Sequence, residues 1–104
     1  MTDKQDISAE ITIDNDHCYV YLMIDLTNNY HKIGISNKPG YREKTLQSEK
    51  PTIEMLCYKR FPNRKIATSF ELALHQSYAD KRVRGEWFDL TEKEVQELNE
   101  VLTK

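Results

Sequence analysis

His17-Cys18-Tyr19-Val20-Tyr21-Leu22-Met23-Ile24, followed after a polar stretch by His31-Lys32-Ile33-Gly34-Ile35-Ser36, decides the fold. The first run is rich in β-branched and aromatic residues, the composition of a strand, and the second repeats that composition over a shorter length. Asp25 to Asn29 supply turn residues between them, so the pair predicts an antiparallel hairpin joined through Asn28-Asn29. Alternation along a strand then sorts the side chains onto two faces. Cys18, Val20, Leu22 and Ile24 share one face with Ile33 and Ile35, while Tyr19, Tyr21 and Met23 share the other with Lys32, Gly34 and Ser36. The first face is plain core. The second mixes aromatic rings, a cation and a position without a side chain.

Downstream, Asn37-Lys38-Pro39-Gly40 breaks the second strand, and Tyr41 to Ser48 contains no breaker and good helix formers. Ile53, Met55 and Cys57 alternate with Glu54, Leu56 and Tyr58 in a third strand, which Pro62-Asn63 ends. From about Lys65 or Thr68, Ala67, Phe70, Leu74 and Tyr78 recur at helical steps, with Glu71 and His75 four apart on the adjoining stripe. Lys81 to Gly85 is basic, and Trp87-Phe88 reads as core. Thr91 and Glu94 then stand at capping-box spacing before a last helix that buries Val95, Leu98 and Leu102. The order β-β-α-β-α-α predicts an α/β (α+β) domain, a small three-stranded antiparallel sheet covered by helices.

At 104 residues the chain can bury one modest core. Residues 1–16 are polar and acidic and are expected to be a mobile tail, leaving 17–104 as a single domain. No apolar run approaches the ~20 residues that span a bilayer, and the N-terminus lacks the basic and apolar parts of a signal peptide, so a cytoplasmic protein without a membrane partner is expected. Cys18 and Cys57 stand far apart and read as small core residues. Their scattered spacing from His17 and His31 sets a zinc site aside. The net charge of −2 conceals segregation. Residues 1–30 carry −5 and 85–104 carry −4, while His31 to Arg84 carry +7. A basic centre gathered on one face would attract phosphate backbones; spread out, it is an ordinary solvated surface.

Packing does not account for Tyr21, Lys32, Gly34, Arg42, Glu71 and His75. Tyr19-Val20-Tyr21, Lys32-Ile33-Gly34, Arg42 eight residues past that glycine, and Glu71 on a later helix together resemble the GIY-YIG nuclease superfamily. The KIGIS stretch, the E-x-x-x-H helix and Gly85-Glu86-Trp87-Phe88 look like its phage and microbial branch, whose second motif reads KIG. The likeness runs from about Cys18 to Leu90. It implies a metal-dependent endonuclease acting on DNA, with RNA left open as a partner. It also places the family's first-motif tyrosine on Tyr21, its arginine on Arg42 and its metal-binding glutamate on Glu71. Tyr19 stands where the first motif has glycine, Lys32 stands where the second has tyrosine, and no asparagine follows the glutamate helix near Trp87.

Phosphodiester hydrolysis needs a deprotonated water, countercharge for the transition state and help for the leaving oxygen. Tyr21 is the expected general base, with Lys32 on the same hairpin face as the cation that favours its phenolate. Gly34 leaves that face open to a phosphate. Arg42 offers a planar fork to a nonbridging oxygen. Glu71 offers one carboxylate, which together with waters and substrate oxygens suits Mg2+, or Mn2+ in its place. His75 could orient Glu71, bind phosphate or serve the leaving group. Tyr19, Gly34, Ser36, Lys38 and Lys44 are the expected nucleic-acid contacts. Two alternatives use the same features: a catalytically weak or inactive nuclease-like module that binds nucleic acid, and an interaction protein whose basic centre meets an acidic partner.

Overall fold

The computed structural model describes residues 17–104; the expected acidic tail, residues 1–16, lies outside the described residues. Strand β1 (Cys18–Asp25) turns at Leu26 to Asn29 into β2 (Tyr30–Ser36). Asn29 takes φ 61°, a left-handed conformation that asparagine tolerates better than most residues. The predicted faces hold in the register, which pairs Tyr21 with Gly34 and Leu22 with Ile33. Strand β3 (Ile53–Phe61) flanks β1 on its other side, antiparallel, with a bulge opposite Leu22 and Met23.

Among the described residues, three α-helices cover this sheet. Helix α1 (Pro39–Glu49) starts two residues before the predicted Tyr41, because a proline needs no hydrogen bond at the first helical position and its fixed φ suits that place. Helix α2 (Arg64–Ser77) is capped by Asn63, whose side chain accepts from Ile66 N–H at 2.9 Å. Helix α3 (Glu92–Thr103) carries the predicted Thr91–Glu94 capping box.

The α+β class stands, but among the described residues the sheet has five strands, not three, in the order β3-β1-β2-β5-β4. The added pair is β4 (Arg82–Arg84) and β5 (Trp87–Phe88), a tiny hairpin that turns at Gly85 with φ 54° and adds β5 to the edge of β2. Three and two residues are too few to display a period, so sequence reads the first as part of a basic stretch and the second as a core pair.

Each face has its own core. Cys18, Val20, Leu22, Ile33, Cys57 and Phe88 pack with Ala67 of α2 and with Leu98 and Leu102 of α3. Tyr21, Met23 and Ile53 pack with Leu46 of α1, Met55 and Trp87. β1 is therefore apolar on both faces, as a strand covered on both sides must be. Both cysteines are buried and free, and burial pushes the Cys57 thiol up to about 11. No helix among the described residues is long and apolar enough to cross a membrane.

Candidate active site

Gly34 is the pivot of the site. A Cβ added there would lie 2.5 Å from Tyr21 Oη, 2.7 Å from Tyr21 Cζ and 3.0 Å from Glu86 Oε1. The phenol thus crosses from β1 and lies against the bare backbone of β2, an approach that any larger residue would block. Tyr21 is 1% exposed. Burial pushes its hydroxyl up to about 12; Arg42, within hydrogen-bonding range, pulls it down, while Glu86 and Glu71 add to the rise. Arg42 is delivered by the first turn of α1, where its N–H bonds the Lys38 carbonyl at 3.0 Å.

Lys32 lies two residues before Gly34 on the same face and is nearly buried. Its Nζ donates to Glu86 Oε1 at 2.9 Å and lies 5.7 Å from the centre of the Trp87 ring. Glu86 sits in the β4–β5 turn, and its carbonyl accepts from Ile33 N–H at 3.1 Å, which pins the turn to β2.

Glu71 approaches from α2, whose apolar stripe packs on the opposite face of the sheet. It is 6% exposed, and its Oε2 is buried without a hydrogen-bond partner. Burial raises its pKa well above the ordinary carboxylate range, and the charge of Glu86 and a hydrogen bond to it raise it further against Lys32 and Arg64. His75, one turn on, lies 4.0 Å from that oxygen by its Nε2. Both of its ring nitrogens are engaged. A carbonyl can only accept and a guanidinium can only donate, so Nε2–H donates to Ile33 O at 2.8 Å and Nδ1 accepts from Arg82 Nη2 at 3.2 Å. His75 therefore ties α2 to β2 and to the small hairpin.

The structure groups Tyr21, Lys32, Gly34, Arg42 and Glu71. Tyr19 and Ser36 form the next same-face pair along the hairpin, toward the N-terminus of α1. Tyr19 packs edge-on against His17 and Tyr58, each at 5.5 Å between ring centres. With exposed Lys38 it lines a shallow depression of about 350 Å3. Ser36 Oγ accepts from Lys38 N–H at 3.0 Å, and Lys44 is exposed on α1. Sequence reasoning missed Glu86 as a site residue. The only signal for it was its place in the Gly85-Glu86-Trp87-Phe88 stretch, since its partner Lys32 is 54 positions away.

Residues 16–103, which contain every element described above, match the family profile of the T5orf172 domain. The chain belongs to the T5orf172 domain family. The family is phage-associated with a nuclease-like fold, and membership points to a nuclease-like or DNA-binding module. No curated protein and no solved structure matches the chain significantly. Within this T5orf172 domain, no three His, Cys, Asp or Glu side chains are grouped to hold a metal ion among the described residues. Two facing carboxylates, one with an orphaned oxygen, nevertheless fit a hard cation that retains most of its waters, as Mg2+ does.

Proposed function

We propose that this T5orf172 domain is a cytoplasmic endonuclease of the GIY-YIG type that hydrolyses DNA phosphodiesters with Mg2+, or with Mn2+ in its place. The observation that carries the proposal is the grouping of Tyr21, Arg42, Lys32 and the orphaned Glu71 carboxylate around Gly34. Glu71 would hold the cation, which when bound supplies positive charge to the developing transition state. Tyr21 takes the proton of the attacking water. Arg42 works toward the phenolate that this step needs, against the burial that pushes the hydroxyl up. Arg42 grips a nonbridging phosphate oxygen, and Gly34 lets the phosphate approach the sheet closely. Lys32 adds a second cation, and His75 holds the Glu71 helix against β2. Tyr19, Ser36, Lys38 and Lys44 extend the contact along the backbone of the nucleic acid.

Two observations favour a second reading. Glu86 occupies Lys32, and Tyr21 is pushed up to about 12, a state suited to binding nucleic acid without cutting it. Supercoiled plasmid in Mg2+ or Mn2+ separates the two. The endonuclease nicks it, and nicking disappears in EDTA and in Glu71→Ala, Arg42→Ala and Tyr21→Phe. Salt-sensitive gel shifts without nicking in any metal would establish the binding module instead.

A further inference from the structure

We propose that Glu86 is the second carboxylate ligand of the divalent cation, held in position by Lys32. This rests on the cation-dependent reading above and adds a residue to the same site. Two carboxylates within hydrogen-bonding range, one of them buried, repel unless a proton or a cation lies between them. Lys32 does not fill that role for both, because its Nζ is bonded to Oε1 of Glu86 and leaves Oε2 of Glu71 orphaned. His75 does not fill it either, because its Nε2–H is committed to Ile33 O. An orphaned carboxylate oxygen in a side chain more than nine-tenths buried is costly, and Glu86 lies within hydrogen-bonding range of that side chain. A hard divalent cation answers the repulsion and the missing partner together.

The support around Glu86 fits a ligand rather than a loose surface acid. Its backbone is fixed to β2 through Ile33 N–H, and its carboxylate is oriented by Lys32, which Trp87 backs in turn. Ligating carboxylates are commonly steadied by such hydrogen bonds. Glu86 is 40% exposed at the side chain, so the cation has a route in from solvent and room to keep waters for the remaining positions.

Binding of the metal alone tests the inference without an activity readout. Mn2+ is titrated calorimetrically into wild type, Glu86→Gln, Glu71→Gln and Glu54→Gln. The last removes the same charge from an exposed position on β3. Tb3+ luminescence sensitised by Trp87, the single tryptophan, gives an independent signal from the residue next to Glu86. The expected result is affinity weakened about tenfold or more by Glu86→Gln, abolished by Glu71→Gln and unchanged by Glu54→Gln. Circular dichroism and melting in EDTA show that each variant is folded, and Glu86→Asp provides a second variant that keeps the charge but shortens the reach. Wild-type affinity in Glu86→Gln, with loss only in Glu71→Gln, overturns the role of Glu86 and leaves the nuclease proposal standing. A wild type that binds neither Mn2+ nor Tb3+ overturns both.

Discussion

At the β1–β2 turn, Asp25 is 3% exposed and accepts hydrogen bonds from Thr27 N–H at 3.0 Å, Thr27 Oγ1 at 2.6 Å and Thr52 Oγ1 at 2.8 Å, with Lys50 Nζ at 2.6 Å. On α2, Glu71 is 6% exposed and has an oxygen with no partner at all. Burial raises the pKa of both. At Asp25 the donors from Lys50, Thr27 and Thr52 outweigh burial and hold the carboxyl well below its usual range, whereas at Glu71 the neighbouring Glu86 adds to it. Burial therefore does not mark function by itself. An acid surrounded by donors closes a turn, and an acid left unsatisfied beside a second acid stands ready for something that the fold does not supply.

The largest expected effect separates the two acids by activity. Glu71→Gln should lower plasmid nicking by about a thousandfold, in line with losing a charge-stabilising group, while leaving the melting temperature in EDTA equal or higher. The amide can donate to Glu86, so the substitution relieves the fold. A melting temperature several degrees lower would make Glu71 a structural acid like Asp25 and dissolve the contrast. Asp25→Asn should do the reverse. Losing the charge that its donors were arranged to meet costs about 2–3 kcal/mol, or roughly 10 °C in a domain of this size, with nicking per folded molecule unchanged.

Stability against pH in EDTA sharpens the same contrast. The depressed carboxyl of Asp25 contributes stability that is full above the ordinary carboxylate pKa of about 4 and is lost as pH falls through its lower folded value. The raised carboxyl of Glu71 works in the other direction: its contribution is full below the ordinary pKa and is lost as pH rises through its higher folded value. Glu71→Gln should therefore flatten the loss on the neutral side, and Asp25→Asn the loss on the acid side. Thermal melts across the acid to neutral range read both slopes. Identical profiles for wild type and Glu71→Gln would mean that the Glu71 carboxyl titrates normally.

The fold and the site differ in how much of each a reader of the sequence could find, and the reason is distance along the chain. Period two put Tyr21 and Gly34 on one face and sorted both faces, because alternation is a local property of a strand; that the two stand directly opposite each other came only with the register. Helix α1 followed from a breaker-free run of helix formers, α2 from its apolar stripe and α3 from its buried face and the Thr91–Glu94 box. The β4–β5 hairpin escaped because its strands are shorter than any period. Glu86 escaped with it, since it enters the site only once that hairpin docks on β2. The role of His75 was equally hidden: its partner Ile33 O is 42 positions away and is a backbone atom with no side-chain signature. Asp25 was legible as a turn residue, but Thr52, one of its donors, arrives from 27 positions downstream.

Glu94 supplies the smallest test, because it is satisfied like Asp25 but more open to solvent. Its Oε1 accepts from Thr91 N–H at 2.8 Å, from Thr91 Oγ1 at 3.1 Å and from Lys81 Nζ at 3.1 Å. The Thr91 backbone bond lowers its pKa; burial opposes this and Lys81 assists it. Its side chain is 21% exposed, so water competes for every one of these contacts. Glu94→Gln keeps an oxygen to accept the Thr91 N–H and loses only the charge, so it should cost about 0.5–1 kcal/mol. The cost should shrink in ~1 M salt, where the Lys81 attraction is screened; the Asp25→Asn loss, set in a drier place, should persist. Melts of both variants at low and high salt make the comparison. Equal losses that respond equally to salt would show that the number of donors alone decides what a carboxylate is worth here, with burial adding nothing.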